Sequence, residues 1–205
     1  MTFSRKGRKE NKEYELFSSL RHLSCPLRLN HNIQLPEQYE SILQMKILCL
    51  PRKWFERIKG TVLEEQVLSK NKVVSIQSRS GWDSEPPFSG EGMKSPNLLC
   101  LTFDDVTDYS DLYDGEKVAR FRPVMAQKIL KHVGHGSWPV LIHCTEGVSR
   151  SGAVASVLNH YWNFVWEKNP ADHEYFKKFN RQISPNPVVE EIFTEYIENG
   201  NLDEP

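Results

Sequence analysis

The sequence predicts an α/β fold in which a central, mostly parallel sheet of four to five strands is flanked by helices. Three observations lead to this prediction: apolar runs of strand length recur, helical patterns lie between and after them, and turn-forming residues separate them. Strands that alternate with helices favour a parallel sheet covered by helices. With 205 residues, of which 39% are hydrophobic, the chain is long enough for one domain and an appendage.

Four short apolar runs are predicted to be buried strands. They lie at 45–50, 73–76, 98–103 and 140–144, and each has the length typical of a strand. The segment between the second and third runs is rich in Gly, Pro and Ser, which predicts a surface loop.

The helical segments complete the pattern. They are predicted at 117–133, 151–166, 172–182 and 188–197. Pro123 lies inside the first of these, so the regular helix begins there or kinks there. A further short helix is predicted at 36–42, with Pro36 in its first turn.

Composition excludes several classes of protein. The net charge of -1 gives no global preference for nucleic acid or a membrane surface. No apolar run has the length of a membrane-spanning helix, and the start, MTFSRKGRKENK, lacks the apolar core of a signal peptide. We therefore expect a cytoplasmic protein with reduced thiols and no membrane partner. The four cysteines form no CxxC pair, so we do not expect a zinc ribbon.

Residues 1–44 are interpreted as a basic N-terminal extension, partly helical or disordered, that precedes a catalytic domain over 45–200. Residues 1–32 contain seven Lys or Arg and three Asp or Glu, a net charge of +4. Such an arm is usually solvated, and it is the one segment whose charge suits binding to nucleic acid.

The stretch LIHCTEGVSRSG, residues 141–152, carries the chemistry. Cys144 ends a predicted strand, and the loop that follows enters a helix near Ser151. Backbone N–H groups and the helix dipole make such a loop an anion cradle, and the guanidinium of Arg150 adds two parallel donors for a phosphate. The predicted phosphate-binding residues are Thr145, Glu146, Gly147, Val148, Ser149 and Arg150.

The cradle has a sulfur atom at its floor. Its positive field favours the thiolate form of Cys144, which is placed for in-line attack on phosphorus. Ser151 is expected to bond the sulfur and ease its departure, and Gly147 lets the loop curl. His143 points away from Cys144 because neighbouring strand residues alternate, so we expect it to support the loop and the thiolate from behind.

This motif resembles the signature of the cysteine-dependent protein tyrosine phosphatase superfamily, HisCys-x5-Arg-Ser. The Ser-Arg-Ser ending is most similar to the dual-specificity branch, and ArgGlnIleSerProAsn at 181–186 resembles the segment before the last helix in that branch. The resemblance covers 98–197 well and 45–97 loosely. It implies a phosphotyrosine phosphatase-like fold and no cofactor. It also implies that Asn186 supports the predicted phosphate-binding residues 145–150, here called the phosphate loop, from behind.

Two differences between this chain and other members of the superfamily indicate which branch it resembles most. Glu146 stands where many members have a small residue, and a carboxylate there repels a very anionic substrate. The chain also has no segment like the Tyr-bearing recognition loop of strict tyrosine phosphatases. These differences favour a compact dual-specificity type.

A poor leaving group needs a general acid. The loop after the third apolar run offers Asp104, Asp105, Asp108, Asp111 and Asp114. Alignment on the family's strand places Asp105 at the acid position. Asp104 faces the opposite way if the strand persists, and the remaining aspartates stay open as alternatives.

The resemblance implies metal-free hydrolysis of phosphotyrosine, extending to phosphoserine and phosphothreonine, in a phosphorylated protein substrate. Two alternatives remain open: an RNA 5′-phosphatase, which the basic arm favours, and a non-catalytic phosphate-binding module. A zinc site from His132, His135 and Cys144, or a cysteine protease, leaves Arg150 and the loop unexplained.

Overall fold

A four-stranded sheet, parallel throughout, forms the centre of the fold. The computed structural model describes residues 46–108, 112–113, 116–134, 138–166 and 170–200. The strands of the sheet are β1 (Ile47–Pro51), β2 (Lys72–Gln77), β3 (Leu98–Thr102) and β6 (Val140–Cys144), in the spatial order β1-β6-β2-β3. Because every neighbouring pair is parallel, the carboxyl ends of all four strands meet at one edge.

Helices surround this sheet. The α-helices are α1 (Arg52–Ile58), α2 (Val62–Lys70), α3 (Pro123–Val133), α4 (Arg150–Leu158), α5 (Pro170–Phe179) and α6 (Pro187–Glu198). A 3₁₀ turn covers Gly92–Lys94, and a π-helix at Asn159–Trp166 continues α4. A separate antiparallel ribbon pairs β4 (Leu112–Tyr113) with β5 (Glu116–Lys117).

The central position of β6 explains its composition. All five of its residues are buried, because the strand lies between β1 and β2 in the interior of the fold. Its register sets Cys144 opposite Pro51 and His143 opposite Ser75. The last residue of β6 therefore lies at the edge where the other strands also end.

The predicted α/β class and its parallel sheet are confirmed, with four strands. The helix predicted over 117–133 begins at Pro123, where the proline ring suits a first turn. The single helix predicted over 151–166 is instead α-helical to Leu158 and π-helical beyond it. The extension at 1–44 and its short helix at 36–42 lie outside the described residues.

The long segment between β2 and β3 is a loop, as predicted, but it is anchored. Glu64, on α2, is 3% exposed and accepts hydrogen bonds from the N–H groups of Gly60 and Ser89, at 2.9 and 2.8 Å. Phe88 from the same loop is buried against Phe55, with ring centroids 5.4 Å apart. These contacts fix the loop near the carboxyl ends of the strands.

Among the described residues, no helix combines the length and the apolar character that a membrane span requires.

Candidate active site

Cys144 and Ser151 lie at the floor of the loop that follows β6. Both are buried, and the Cys144 Sγ atom is 3.2 Å from the Ser151 Oγ atom. Cys144 is the last residue of β6 and Ser151 lies in the first turn of α4, so this contact connects the two ends of the intervening loop. The hydroxyl is a hydrogen-bond donor that suits a thiolate acceptor.

His143 holds the strand end from the opposite side. Its Nδ1 atom is 3.4 Å from the Cys144 carbonyl oxygen, and its Nε2 atom is 2.7 Å from the Ser75 Oγ atom. A carbonyl only accepts, so Nδ1–H is the donor and Nε2 accepts from the serine hydroxyl. Burial lowers the pKa of the His143 imidazole to about 3, although the bond to the carbonyl opposes this. His143 is therefore neutral and contacts the backbone of Cys144 rather than its sulfur.

Gly147 gives the loop its curvature. Its φ of 73° lies in the left-handed region that favours glycine. A Cβ atom at this position would lie 2.6 Å from the Leu50 carbonyl carbon and 2.7 Å from the Pro51 nitrogen. The loop thus lies directly against the end of β1, at a distance that no larger residue permits.

The amides of the loop are not used by the protein itself. In the part of the chain that the structure describes, the N–H groups of residues 146–150 donate to no hydrogen-bond acceptor. The carbonyl groups do have partners: Val148 accepts from the Ser184 N–H at 3.2 Å, and Ser149 accepts from the Asn186 N–H at 3.3 Å. A loop whose carbonyl groups accept bonds from the surrounding protein, and whose N–H groups have no acceptor, has the arrangement that binds an anion.

Arg150 is almost completely engaged by the protein. Its Nη1 donates to the Ser78 hydroxyl at 3.0 Å and the Phe103 carbonyl at 2.9 Å. Its Nη2 donates to the Thr145 hydroxyl at 2.7 Å and lies 3.5 Å from an Asp83 carboxylate oxygen. The buried Nε–H is the remaining donor and has no partner in the described part of the chain. Two parallel bonds to a phosphate therefore require Nη2 to exchange one of its contacts.

Asp83 is a site residue that sequence reasoning missed. It is 7% exposed and accepts hydrogen bonds from the hydroxyls of Ser78, at 2.9 Å, and Thr145. Burial acts to raise the pKa of this carboxyl, but those two bonds and the charge of Arg150 outweigh it, and the pKa lies below its ordinary value. The ionised Asp83 thus fixes both Arg150 and the first residue of the loop.

The two neighbouring aspartates after β3 have separate partners. Asp104 accepts from two backbone N–H groups, those of Arg79 and Ala119, each at 2.8 Å. Asp105 is exposed, and its Oδ1 accepts from the Ser149 hydroxyl at 2.7 Å and from the Asn186 amide at 2.8 Å. Asp105 therefore faces the phosphate loop and Asp104 faces away from it. The roles proposed for them remain predictions.

Asn186 links three parts of the site. Its side-chain oxygen caps α6 by accepting from the N–H groups of Val188 and Val189, and its amide donates to Asp105 and to the Val106 carbonyl. Its own N–H donates to Ser149. This buried side chain connects the segment of Asp105 and Val106 and the phosphate loop to one helix.

The remaining residues that the sequence predicts for the site differ in their exposure and in whether the structure describes them. Glu146 is exposed at the rim of the loop and Val148 is half-buried. Asp108 is exposed, whereas Asp111 and Asp114 lie outside the described residues. Within the described ranges, no three His, Cys, Asp or Glu side chains cluster in a way that could hold a metal ion.

A surface cleft of about 590 Å³ opens beside Asp105. Its lining consists of Arg79, Ser80, Asp104, Asp105, Val106, Lys117 and Val118. The Asp105 carboxyl is therefore accessible from solvent through this cleft.

Comparisons with known proteins gave matches only to solved structures: no family model and no curated protein matches the chain. The human tyrosine phosphatase-like serine/threonine/tyrosine-interacting protein is 19% identical with a TM-score of 0.48, and the match covers 75% of this chain and 92% of that one. Human DUSP28 is 16% identical with a TM-score of 0.41, covering 79% and 98%. The Yvh1 phosphatase domain from Chaetomium thermophilum is 15% identical with a TM-score of 0.39, covering 70% and 91%.

The first of these proteins is described as tyrosine phosphatase-like, and the Yvh1 structure is a phosphatase domain. Because their TM-scores are below 0.5, the function proposed below rests on the residues of this chain alone.

Proposed function

We propose that this chain hydrolyses phosphomonoesters through a phosphocysteine intermediate on Cys144. The observation that carries the proposal is the 3.2 Å contact between the Cys144 sulfur and the Ser151 hydroxyl at the floor of a loop whose amides have no acceptor within the described residues. A phosphate-binding module needs the amides and Arg150, but it does not need a nucleophile below them. The combination therefore favours catalysis over binding alone.

In the first step the Cys144 thiolate attacks phosphorus as the bond from phosphorus to the leaving oxygen breaks. The loop amides and the Arg150 Nε–H donate to the phosphoryl oxygens, on which negative charge collects. Asp105, in its protonated form, gives its proton to the leaving oxygen. The products of this step are the free alcohol or phenol and a phosphocysteine.

In the second step Asp105, now a carboxylate, takes a proton from water as the water oxygen attacks phosphorus. The sulfur–phosphorus bond breaks and the electron pair returns to Cys144. The Ser151 hydroxyl donates to the departing sulfur and stabilises the thiolate. Inorganic phosphate then leaves, and no metal ion takes part.

The substrate class that fits best is a phosphorylated protein side chain, phosphotyrosine first and phosphoserine or phosphothreonine second. The Asp105 carboxyl is exposed and lines an open surface cleft, so a side chain on a protein surface can reach it. Glu146 at the rim adds negative charge, which disfavours substrates with several phosphates.

The test is turnover of a small aryl phosphate by the full chain, with and without a chelator. We expect Cys144→Ser to abolish turnover while vanadate binding persists, and chelation to leave the rate unchanged. Cys100→Ser is the matched control, because Cys100 lies on β3 away from the loop. Residual turnover above a few per cent in Cys144→Ser would exclude Cys144 as the nucleophile.

A further inference from the structure

Trp82 is an exposed aromatic side chain directly before Asp83, which bonds to Thr145 and Arg150. It is 68% exposed, the largest exposed fraction among the large hydrophobic side chains of the described residues. An isolated exposed tryptophan is unremarkable on a protein surface, but one that lies beside a binding site is a candidate for substrate contact.

Trp82 and Asp83 are the two central residues of a tight turn. Ser84 closes the turn with two bonds to the Gly81 carbonyl, from its N–H at 3.3 Å and from its hydroxyl at 2.8 Å. Asp83, the next residue, points inward and holds Thr145 and Arg150. Trp82 is therefore one residue away from a side chain that contacts the loop directly.

Arg52 supports the indole ring from one side. Its guanidinium carbon lies 5.5 Å from the Trp82 ring centroid, a cation–π contact. The guanidinium itself is fixed by Glu56 at 2.6 Å and by the Glu85 carbonyl at 2.5 Å, and Arg52 is 6% exposed. The Arg52 N–H also donates to the Thr145 carbonyl at 3.1 Å, so the support is bonded to the loop.

We propose that Trp82 stacks on the aromatic ring of the substrate and selects aryl over alkyl phosphates. In this arrangement the Arg52 guanidinium contacts the indole ring, and most of the ring surface remains exposed for contact with a ligand. Offset stacking of two aromatic rings stabilises a complex beyond the effect of the area that it buries. The inference rests on the proposed function and deepens it, since it assigns the preference for phosphotyrosine to Trp82.

Phosphotyrosine fits this position better than a nucleotide does. Its ring is bonded directly to the phosphate oxygen, so a phosphate in the loop brings the ring close to the rim. In a 5′-nucleotide the ribose separates the base from the phosphate. Because Trp82 is one residue from Asp83, it is better placed for the ring of phosphotyrosine, which lies close to the phosphate, than for a base beyond a ribose.

The experiment measures binding to the full chain by calorimetry, so that it does not depend on turnover. The probes are a 5′-mononucleotide and two peptides of one sequence, one with a phosphonate analogue of phosphotyrosine and one with a phosphonate analogue of phosphoserine. The variants are Trp82→Ala and Trp82→Phe. Trp138→Ala is the matched control, because Trp138 is 41% exposed and contacts Lys72 by a similar cation–π geometry, but it precedes β6 at the opposite edge of the sheet.

We expect Trp82→Ala to weaken the aryl phosphonate about tenfold and the alkyl phosphonate less than twofold, with Trp82→Phe and Trp138→Ala close to wild type. Equal weakening of both probes would overturn the inference, because Trp82 would then act only through Asp83. Weakened binding of a 5′-mononucleotide with unchanged aryl binding would also overturn it. Selective weakening in a chain without phosphatase activity would refute the proposed function and leave the aryl preference intact.

Discussion

The two consecutive aspartates after β3 show how one residue of register decides which carboxyl faces the phosphate loop. Asp104 is occupied by two backbone N–H groups, and Asp105 bonds the phosphate loop through Ser149. Only a carboxyl that faces the loop can give a proton to a leaving oxygen. The alternation expected of strand residues separates the two, as it does for His143 and Cys144.

We expect Asp105→Asn to lower kcat on a phosphotyrosine peptide roughly a hundredfold, the usual scale of general acid catalysis. An activated aryl phosphate needs almost no proton, so its turnover should fall much less wherever departure of the leaving group limits the rate. Steady-state kinetics on both substrates measures the difference, and the proton-donating limb of the pH–rate profile should flatten.

Asp104→Asn is the matched control, because it changes the neighbouring carboxyl and leaves Asp105 in place. Dependence on the leaving group in Asp104→Asn but not in Asp105→Asn would show that the assignment is off by one residue. Its absence from both variants would move the acid to Asp108, Asp111 or Asp114.

The loop between β6 and α4 depends on a backbone conformation as much as on side chains. Gly147 combines a φ of 73° with direct contact against the end of β1. Gly60 has a nearly equal φ of 71°, but no atom lies within 4 Å of the position that a Cβ atom would take there. Substitution at the two glycines therefore distinguishes the free-energy cost of a left-handed backbone, present at both, from the cost of a steric clash, present only at Gly147.

We expect Gly60→Ala to lower the free energy of unfolding by about 1 kcal/mol, from backbone strain alone. Gly147→Ala should lower it by about 3 kcal/mol and abolish vanadate binding, because the loop must move away from Leu50 and Pro51. Urea unfolding and a vanadate titration measure the two effects. Equal losses of stability with vanadate binding retained in Gly147→Ala would contradict the close approach.

The elements that the sequence predicts well are those with a strong local pattern. The four apolar runs and the Pro123 start of α3 follow from strand length and proline geometry. Helices α1 and α2 were not predicted, because they have only seven and nine residues and show no clear apolar stripe. One signal for α2 was available: Thr61 and Glu64 have the spacing of a capping box.

Asp83 could not be found in the same way. It lies in a segment whose Gly, Pro and Ser content predicts a surface loop, and the segment is indeed a loop. Its burial depends on Arg150, which is 67 residues away along the chain. A local pattern carries no information about such a long-range partner.

At the scale of the whole molecule, the neutral His143 makes stability depend on pH. The pKa of His143 falls from 6.5 in a free side chain to about 3 in the folded protein, chiefly through burial. Between these values the unfolded chain binds a proton that the folded chain does not. The free energy of unfolding therefore falls as pH drops below about 6.5, by about 1.4 kcal/mol per pH unit for one such group.

We expect this slope between pH 6 and pH 4.5 to decrease in His143→Asn by about 1 kcal/mol per pH unit. Other groups, including His132, whose pKa is also lowered by burial, remain in both proteins and cancel in the comparison. Urea unfolding at a series of pH values gives the two slopes. Identical slopes would mean that His143 is not held neutral by the fold.

The central claim is that phosphate is transferred to Cys144, and trapping the intermediate tests it most directly. Ser151→Ala removes the hydroxyl that lies 3.2 Å from the sulfur, so the second step should slow and the phosphoenzyme should accumulate. Rapid quenching of this variant with a phosphoryl-labelled aryl phosphate, followed by peptide mass spectrometry, locates the label. We expect the label on Cys144, and none in the Cys144→Ser, Ser151→Ala double variant. Turnover in the wild-type chain with label on another residue, or with no label on the protein at all, would contradict the claim.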